Sequence, residues 1–182
     1  MQEREVIDFY RAMEHSSITV WIDGGWGVDA LLGRQTRPHS DLDIATQQED
    51  AANIRALLES QGYREIKLEI ARPHNFVLGD DKGHEIDVHV IALDVKGNGI
   101  YGPPENGEMY PAASLAGIGT IAGHPVRCIS PEWMVRFHSG YELKPKDLHD
   151  VSALCEKFGI ELPEEYVKKF VNRQRCQSES SK

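Results

Sequence analysis

Two aspartates one residue apart, Asp41 and Asp43, open the stretch DLDIA. In an extended chain side chains alternate faces, so both carboxylates point one way while Leu42 and Ile44 point the other. Their Cα atoms then lie about 7 Å apart. Like charges at that spacing add nothing to a fold. They can converge on one hard cation, and magnesium suits them, because it takes oxygen ligands and bridges to substrate phosphates. HEIDVHVI alternates in the same way, with Glu85, Asp87 and His89 on one face and Ile86, Val88 and Val90 on the other. If the two strands are neighbours, Asp87 completes a three-carboxylate cluster. Such a cluster can hold two metal ions and take a proton from an alcohol. Gly24-Gly25 ends an apolar run and precedes a helix-like one, where small residues let backbone N–H groups approach a triphosphate. Each motif alone is a weak signal; the ordered set with matching faces is far more specific.

These residues need elements to position them. MQEREVIDFYRAMEHS predicts an amphipathic helix with Val6, Ile7, Phe9, Tyr10 and Met13 inward. ITVWID is expected as a strand ending at Gly24-Gly25, Trp26 to Leu32 as a short helix stopped by Gly33, and RQTRPHS as a loop before the DLDIAT strand. Thr46-Gln47-Gln48-Glu49 has capping-box form and predicts a helix carrying Ala51, Ile54, Leu57 and Leu58, ended by Gly62. YREIKLEI, HNFVLGD and HEIDVHVIAL predict three strands, the last two joined by the turn Asp80-Asp81-Lys82-Gly83. The Gly- and Pro-rich stretch 97–111 predicts a long loop, and GTIAGHPVRCI a hairpin around Gly123-His124. Ser130-Pro131-Glu132 starts a helix near 131–139, followed by helices at 145–158, ended by Gly159, and at 163–173. The tail QRCQSESSK should fray. The expected fold class is α+β, a mixed sheet with helices followed by a small helical region. The corresponding division is 1–129, 130–175 and a disordered 176–182.

Composition narrows the function. Hydrophobic content of 40% and charged content of 27% are those of an ordinary globular protein. No apolar run reaches the length of a membrane span, and no signal peptide opens the chain. The formal net charge of −9 argues against extended nucleic acid, which wants a basic stripe, and admits small neutral or cationic substrates. Three cysteines without CxxC spacing, Cys128, Cys155 and Cys176, fit a reducing cytoplasm better than a disulfide framework.

An apolar strand, Gly-Gly, Asp-Leu-Asp-Ile and a later strand aspartate resemble the DNA polymerase β-type nucleotidyltransferase superfamily. WIDGGWGVDALLGRQTRPHSDLDI is similar to the small antibiotic nucleotidyltransferases, and CISPEWMVRFHSGYELKPKDLHDV resembles the lincosamide nucleotidyltransferases in particular. The likeness spans about residues 18–155. It implies a nucleotidyltransferase-type twisted mixed sheet. It implies that Gly24 and Gly25 contact phosphates, that Asp41 and Asp43 hold magnesium, and that Asp87 is third ligand and base. Lys146 would approach the nucleotide phosphates. The cofactors implied are two Mg²⁺ ions and a nucleoside triphosphate, ATP or GTP. The acceptor implied is an antibiotic alcohol, a lincosamide such as lincomycin or clindamycin. From the charge, the cysteines and the lack of a spanning run, a cytoplasmic enzyme with no nucleic acid or membrane partner is expected, and a homodimer is compatible with this. The fifteen residues between Gly25 and Asp41 exceed the commonest superfamily spacing, and the GWGVDALLG insert accounts for them.

Alternatives stay open beside this reading. One is an aminoglycoside adenylyltransferase, whose polycationic acceptor would want several pocket carboxylates. Others are an antitoxin-type transferase and a nucleotide-binding module that has lost catalysis. Arg34 and Arg37 fit phosphate steering and plain loop decoration equally. His89 and Glu85 lie on the candidate face, where a hydrogen-bonding contact to substrate suits His89 better than catalysis. Tyr101, Tyr110, Glu105 and Glu108 could line an acceptor pocket, with loop decoration somewhat ahead. Trp21 is expected in the core, and Trp26 could simply pack the insert helix.

Overall fold

The computed structural model describes residues 1–67, 74–103 and 108–179, with side chains described as far as 171. The chain divides into two compact units, Met1–Met134 and Val135–Lys182. The division falls a few residues beyond the boundary expected after 129.

The first unit is built on one mixed sheet. Its strands are β1 (Val20–Ile22), β2 (Asp41–Gln47), β3 (Arg64–Ile66), β4 (Asn75–Gly79), β5 (Glu85–Leu93), β6 (Gly99–Tyr101), β7 (Glu108–Tyr110), β8 (Gly117–Ile121) and β9 (His124–Cys128). The main order is β3-β4-β5-β2-β1-β9-β8, with β6 pairing β5 and β7 pairing β6. β2 runs antiparallel to β1 and parallel to β5. The parallel pairing brings Asp43 opposite Asp87 and Asp41 opposite Glu85. Leu42, Ile44, Ile86 and Val88 are fully buried. This apolar face fixes the register, since a slip of one residue would turn every side chain to the other face.

Helices α1 (Glu3–His15), α2 (Gly24–Leu32) and α3 (Ala51–Ser60) complete this unit, apart from the first residues of α4 (Pro131–Phe137), which crosses the division. α1 buries the five residues expected of it. α2 ends at Gly33 in the left-handed conformation, as expected, but it starts at Gly24, so the diglycine forms its first turn and β1 is shorter than ITVWID.

Two expectations fail here. The capping box at 46–49 does not form. Thr46 is a fully buried member of β2 whose hydroxyl donates to the Thr19 carbonyl, and the helix starts later, with Asp50 at its N-cap. Tertiary pairing with Val20 and Val90 outweighs the local capping preference. The 97–111 stretch is not a plain loop either, because β6 and β7 pair within it. Gly99 serves close approach there: a Cβ on it would meet Ile91 Cδ1 at 2.6 Å. The end of YREIKLEI and residues 104–107, with Glu105, lie outside the described residues. The turn at 80–83 and the hairpin between β8 and β9 stand where expected.

The second unit carries α5 (Pro145–Phe158) and α6 (Glu164–Glu179). α5 opens on Pro145 with the Lys144 N–H donating to Asp147 Oδ2, and Gly159 ends it. Tyr166 is fully buried and its hydroxyl donates to the His138 carbonyl. α6 runs to Glu179, so backbone expected to fray from 174 is helical. Cys128 and Cys155 are free and buried, and burial pushes the Cys128 thiol up to about 12, well away from reactivity.

Candidate active site

Asp23 caps α2. Its Oδ1 accepts from the Gly24 N–H at 2.8 Å, and its own N–H donates to the Asp43 carbonyl at 2.9 Å. This ties the start of the helix to the strand that carries the paired aspartates. Gly24 takes φ +55°, and a Cβ there would lie 2.0 Å from Asp43 Oδ2. At Gly25 a Cβ would lie 2.4 Å from His39 Nδ1 and 2.5 Å from Arg37 Nη2. The diglycine thus clears room for a carboxylate and a guanidinium at a helix N-terminus. The first N–H groups of a helix lack intrahelical partners and favour negative charge.

The loop before β2 is held from below by a buried pair. Asp29 on α2 and His39 are each about 2% exposed in their side chains and hydrogen-bond through Oδ2 and Nε2. Asp29 Oδ1 also accepts from the Thr36 N–H and hydroxyl at 3.0 and 2.6 Å. Trp26 packs its ring 4.7 Å from that of His39. Helix and loop together span the interval between Gly25 and Asp41. Of the two arginines, Arg37 is brought to the diglycine, whereas Arg34 is exposed.

On β5, Asp87 and His89 are half-buried on the face they share with Asp43, while Glu85 is exposed. Asn75, directly opposite His89 on β4, donates its amide to Asp87 Oδ1 at 2.6 Å. Its own Oδ1 is buried without a hydrogen-bond partner. His89 Nε2 lies 3.7 Å from Asp87 Oδ1, and Nδ1 lies 2.8 Å from the Tyr110 hydroxyl. That hydroxyl donates to Asp23 Oδ2 at 3.1 Å. Burial first, and the Asp23 charge second, drive the Tyr110 phenol far above its ordinary pKa. The Tyr101 ring stands 5.1 Å from His89 and 6.3 Å, edge-on, from Tyr110.

The structure therefore gathers Gly24, Gly25, Arg37, Asp41, Asp43, Asp87, His89 and Tyr101 around neighbouring elements. Lys146 is exposed on α5 of the second unit. Among the described residues no three His, Cys, Asp or Glu side chains are close enough to form a metal site by themselves. Asp41, Asp43 and Asp87 share a face and offer only oxygen donors, the set a hard cation takes. A groove lined by Ala52, Arg55, Phe76 and Val90 opens on the opposite face.

Asp23, Asn75 and Asp29 were not singled out by the sequence. An aspartate directly before a helix that opens on Gly-Gly has the residue type of an N-cap, a signal within reach. Asn75 could have been found by counting back from the turn at 80–83. The Asp29–His39 pair left no local signal.

A family model described as aminoglycoside-2''-adenylyltransferase matches residues 5–154. A lincosamide resistance protein of Staphylococcus haemolyticus is 33% identical over 153 residues, covering 84% of this chain and 93% of that protein. A 2''-aminoglycoside nucleotidyltransferase of Escherichia coli is 30% identical over 157 residues, covering 82% of this chain and 84% of that one. The crystal structure of the lincosamide antibiotic adenylyltransferase LnuA, lincomycin-bound, is similar with a TM-score of 0.75 at 30% identity. It covers 85% of this chain and 96% of its own.

Proposed function

This chain belongs to the aminoglycoside-2''-adenylyltransferase family and is a nucleotidyltransferase, and we propose that it inactivates a lincosamide antibiotic in the cytoplasm. It moves a nucleoside monophosphate from ATP or GTP to a hydroxyl of the drug, with Mg²⁺. The observation that carries this reading is the parallel register that puts Asp43 opposite Asp87. Asp41 and Asp43, with Asp87, would hold the metal, which when bound supplies positive charge against the triphosphate.

The residues of the chain do the rest. The first turn of α2 and Arg37 receive phosphate oxygens. The acceptor oxygen bonds to the α-phosphorus while the bond from that phosphorus to the pyrophosphate oxygen breaks. Asp87 takes the acceptor proton. Asn75 donates to Asp87 Oδ1, which orients the carboxylate. Pyrophosphate leaves as the second product.

A lincosamide acceptor is favoured by the Staphylococcus haemolyticus relative and by the segment FHSGYELKPKDLHD. The second reading, an aminoglycoside acceptor, is favoured by the family model and the Escherichia coli relative. The deciding experiment follows magnesium-dependent pyrophosphate release with ATP and GTP against lincomycin, clindamycin and tobramycin, with Asp87→Ala in parallel. Release with the lincosamides, reduced in the variant by about a thousandfold or more with nucleotide binding retained, is the expected result. Release with tobramycin alone moves the protein to the second reading. No release with folded, nucleotide-binding protein overturns both.

A further inference from the structure

The Tyr110 hydroxyl has one proton and bonds to both Asp23 Oδ2, at 3.1 Å, and His89 Nδ1, at 2.8 Å. A carboxylate oxygen only accepts, so the phenol proton goes to Asp23. The phenol oxygen must then accept, and the hydrogen between it and His89 sits on Nδ1. Tyr110 is 7% exposed, and burial with the Asp23 charge keeps its phenol protonated throughout the range in which a protein works. In its neutral form His89 therefore carries no hydrogen on Nε2, the nitrogen 3.7 Å from Asp87 Oδ1.

This arrangement sets two acceptors side by side. A bare imidazole nitrogen and a carboxylate oxygen at 3.7 Å cannot bond to each other, and a donor between them can serve both. The opposite tautomer would point an N–H at Asp87 and occupy the base before substrate arrives. Rotation of the imidazole is restrained by the Tyr101 ring, 5.1 Å away and tilted by 34°. Asp23, at the other end, is the cap of α2 and is bonded through its N–H to β2. The chain Asp23–Tyr110–His89 thus runs from the phosphate side of the site to the side where the acceptor is deprotonated.

We propose that Tyr110, held by Asp23, is a positioning residue that fixes His89 as the Nδ1–H tautomer, so that the bare Nε2 and Asp87 together receive one hydrogen-bond donor of the acceptor molecule, a hydroxyl or an ammonium. The part of this concerning the acceptor rests on the nucleotidyl-transfer reading above. The tautomer does not.

The first arm of the test is long-range ¹H–¹⁵N NMR of the full chain, without substrate, at a pH above the ordinary imidazole range of about 6.5. His89→Gln identifies the signal. The expected spectrum shows a hydrogen on Nδ1 and the far-downfield shift of a bare Nε2, and Tyr110→Phe moves the population toward the Nε2–H form. A wild-type His89 carrying its hydrogen on Nε2 overturns the proposal even if the variant fails to fold. The second arm is steady-state kinetics. Tyr110→Phe is expected to lower kcat about 10- to 100-fold, the effect typical of removing a partner that orients an active-site ligand, with the nucleotide KM held within about twofold. A folded variant with unchanged kcat overturns the positioning role. An inactive wild type with the expected tautomer would instead count against the nucleotidyl-transfer reading and leave the Tyr110–His89 geometry standing.

Discussion

Asp43 and Gly24 show how closely the site is fitted at the level of single residues. Gly24 needs a positive φ and also needs to have no Cβ, because Asp43 Oδ2 occupies that space. Gly24→Ala should therefore cost about 1–3 kcal/mol in backbone strain and shift the aspartate. A displacement of about 1 Å lowers turnover by about a hundredfold. Thermal melting and kinetics on the purified variant check this, and a wild-type melt with a wild-type rate would show that neither constraint matters. The residues bearing formal charge on the candidate face, Asp41, Asp43 and Asp87, were legible because alternation alone decides where they point. Their partners were not. Asn75 reaches Asp87 across a strand pair, and Asp23 reaches Tyr110 from a distant strand end. Side-chain hydrogen bonds across that distance leave no periodic trace in a sequence.

At the level of elements, the helix–loop insert between Gly25 and Asp41 is a brace. Asp29 accepts from the half-buried Thr36 twice and pairs with His39 out of water. Asp29→Ala strands the buried His39 and loosens Thr36, and the loss should be about 3 kcal/mol. The loop that carries Arg37 would loosen with it, so the nucleotide KM should rise while the acceptor KM moves little. Chemical denaturation and nucleotide titration measure the two effects. A variant as stable as wild type would show that the loop is braced elsewhere. α1 and β5 were readable here because each has one apolar period, and the end of α2 because Gly33 stops it. β6 and its partner β7 were not, because Gly99 of β6 serves close approach to Ile91 rather than a turn, and glycine spells both. Thr46 misled for a related reason: its local capping pattern lost to a ladder formed with strands far away in sequence.

At the level of the whole molecule, the net charge of −9 bears on acceptor choice. A polycationic aminoglycoside would be drawn by the summed field, whereas a lincosamide with one basic amine would feel much less of it. Raising salt from about 0.05 M to about 0.5 M shortens the screening length from over 10 Å to under 5 Å. The tobramycin KM, if turnover is seen, should climb several-fold over that range, and the lincomycin KM should stay within about twofold. Equal salt dependence for both would show that the acidic surface plays no part in selecting the acceptor. The fold class and the order of mixed sheet before helices were legible from the succession of elements. The placement of Lys146 was not, since it belongs to the second unit and no pattern within a helix states what that helix faces.

The parallel pairing of β2 with β5 also has a consequence in time. Parallel neighbours need a crossover, and here β3, β4 and α3 must be made before Asp87 can meet Asp43. Non-local pairings of this kind form late in folding. A nascent chain that has left the ribosome only as far as β4 holds the first aspartates and the diglycine, but not Asp87. On the proposed mechanism nucleotidyl transfer would begin only once β5 docks, so half-made copies would spend no nucleotide.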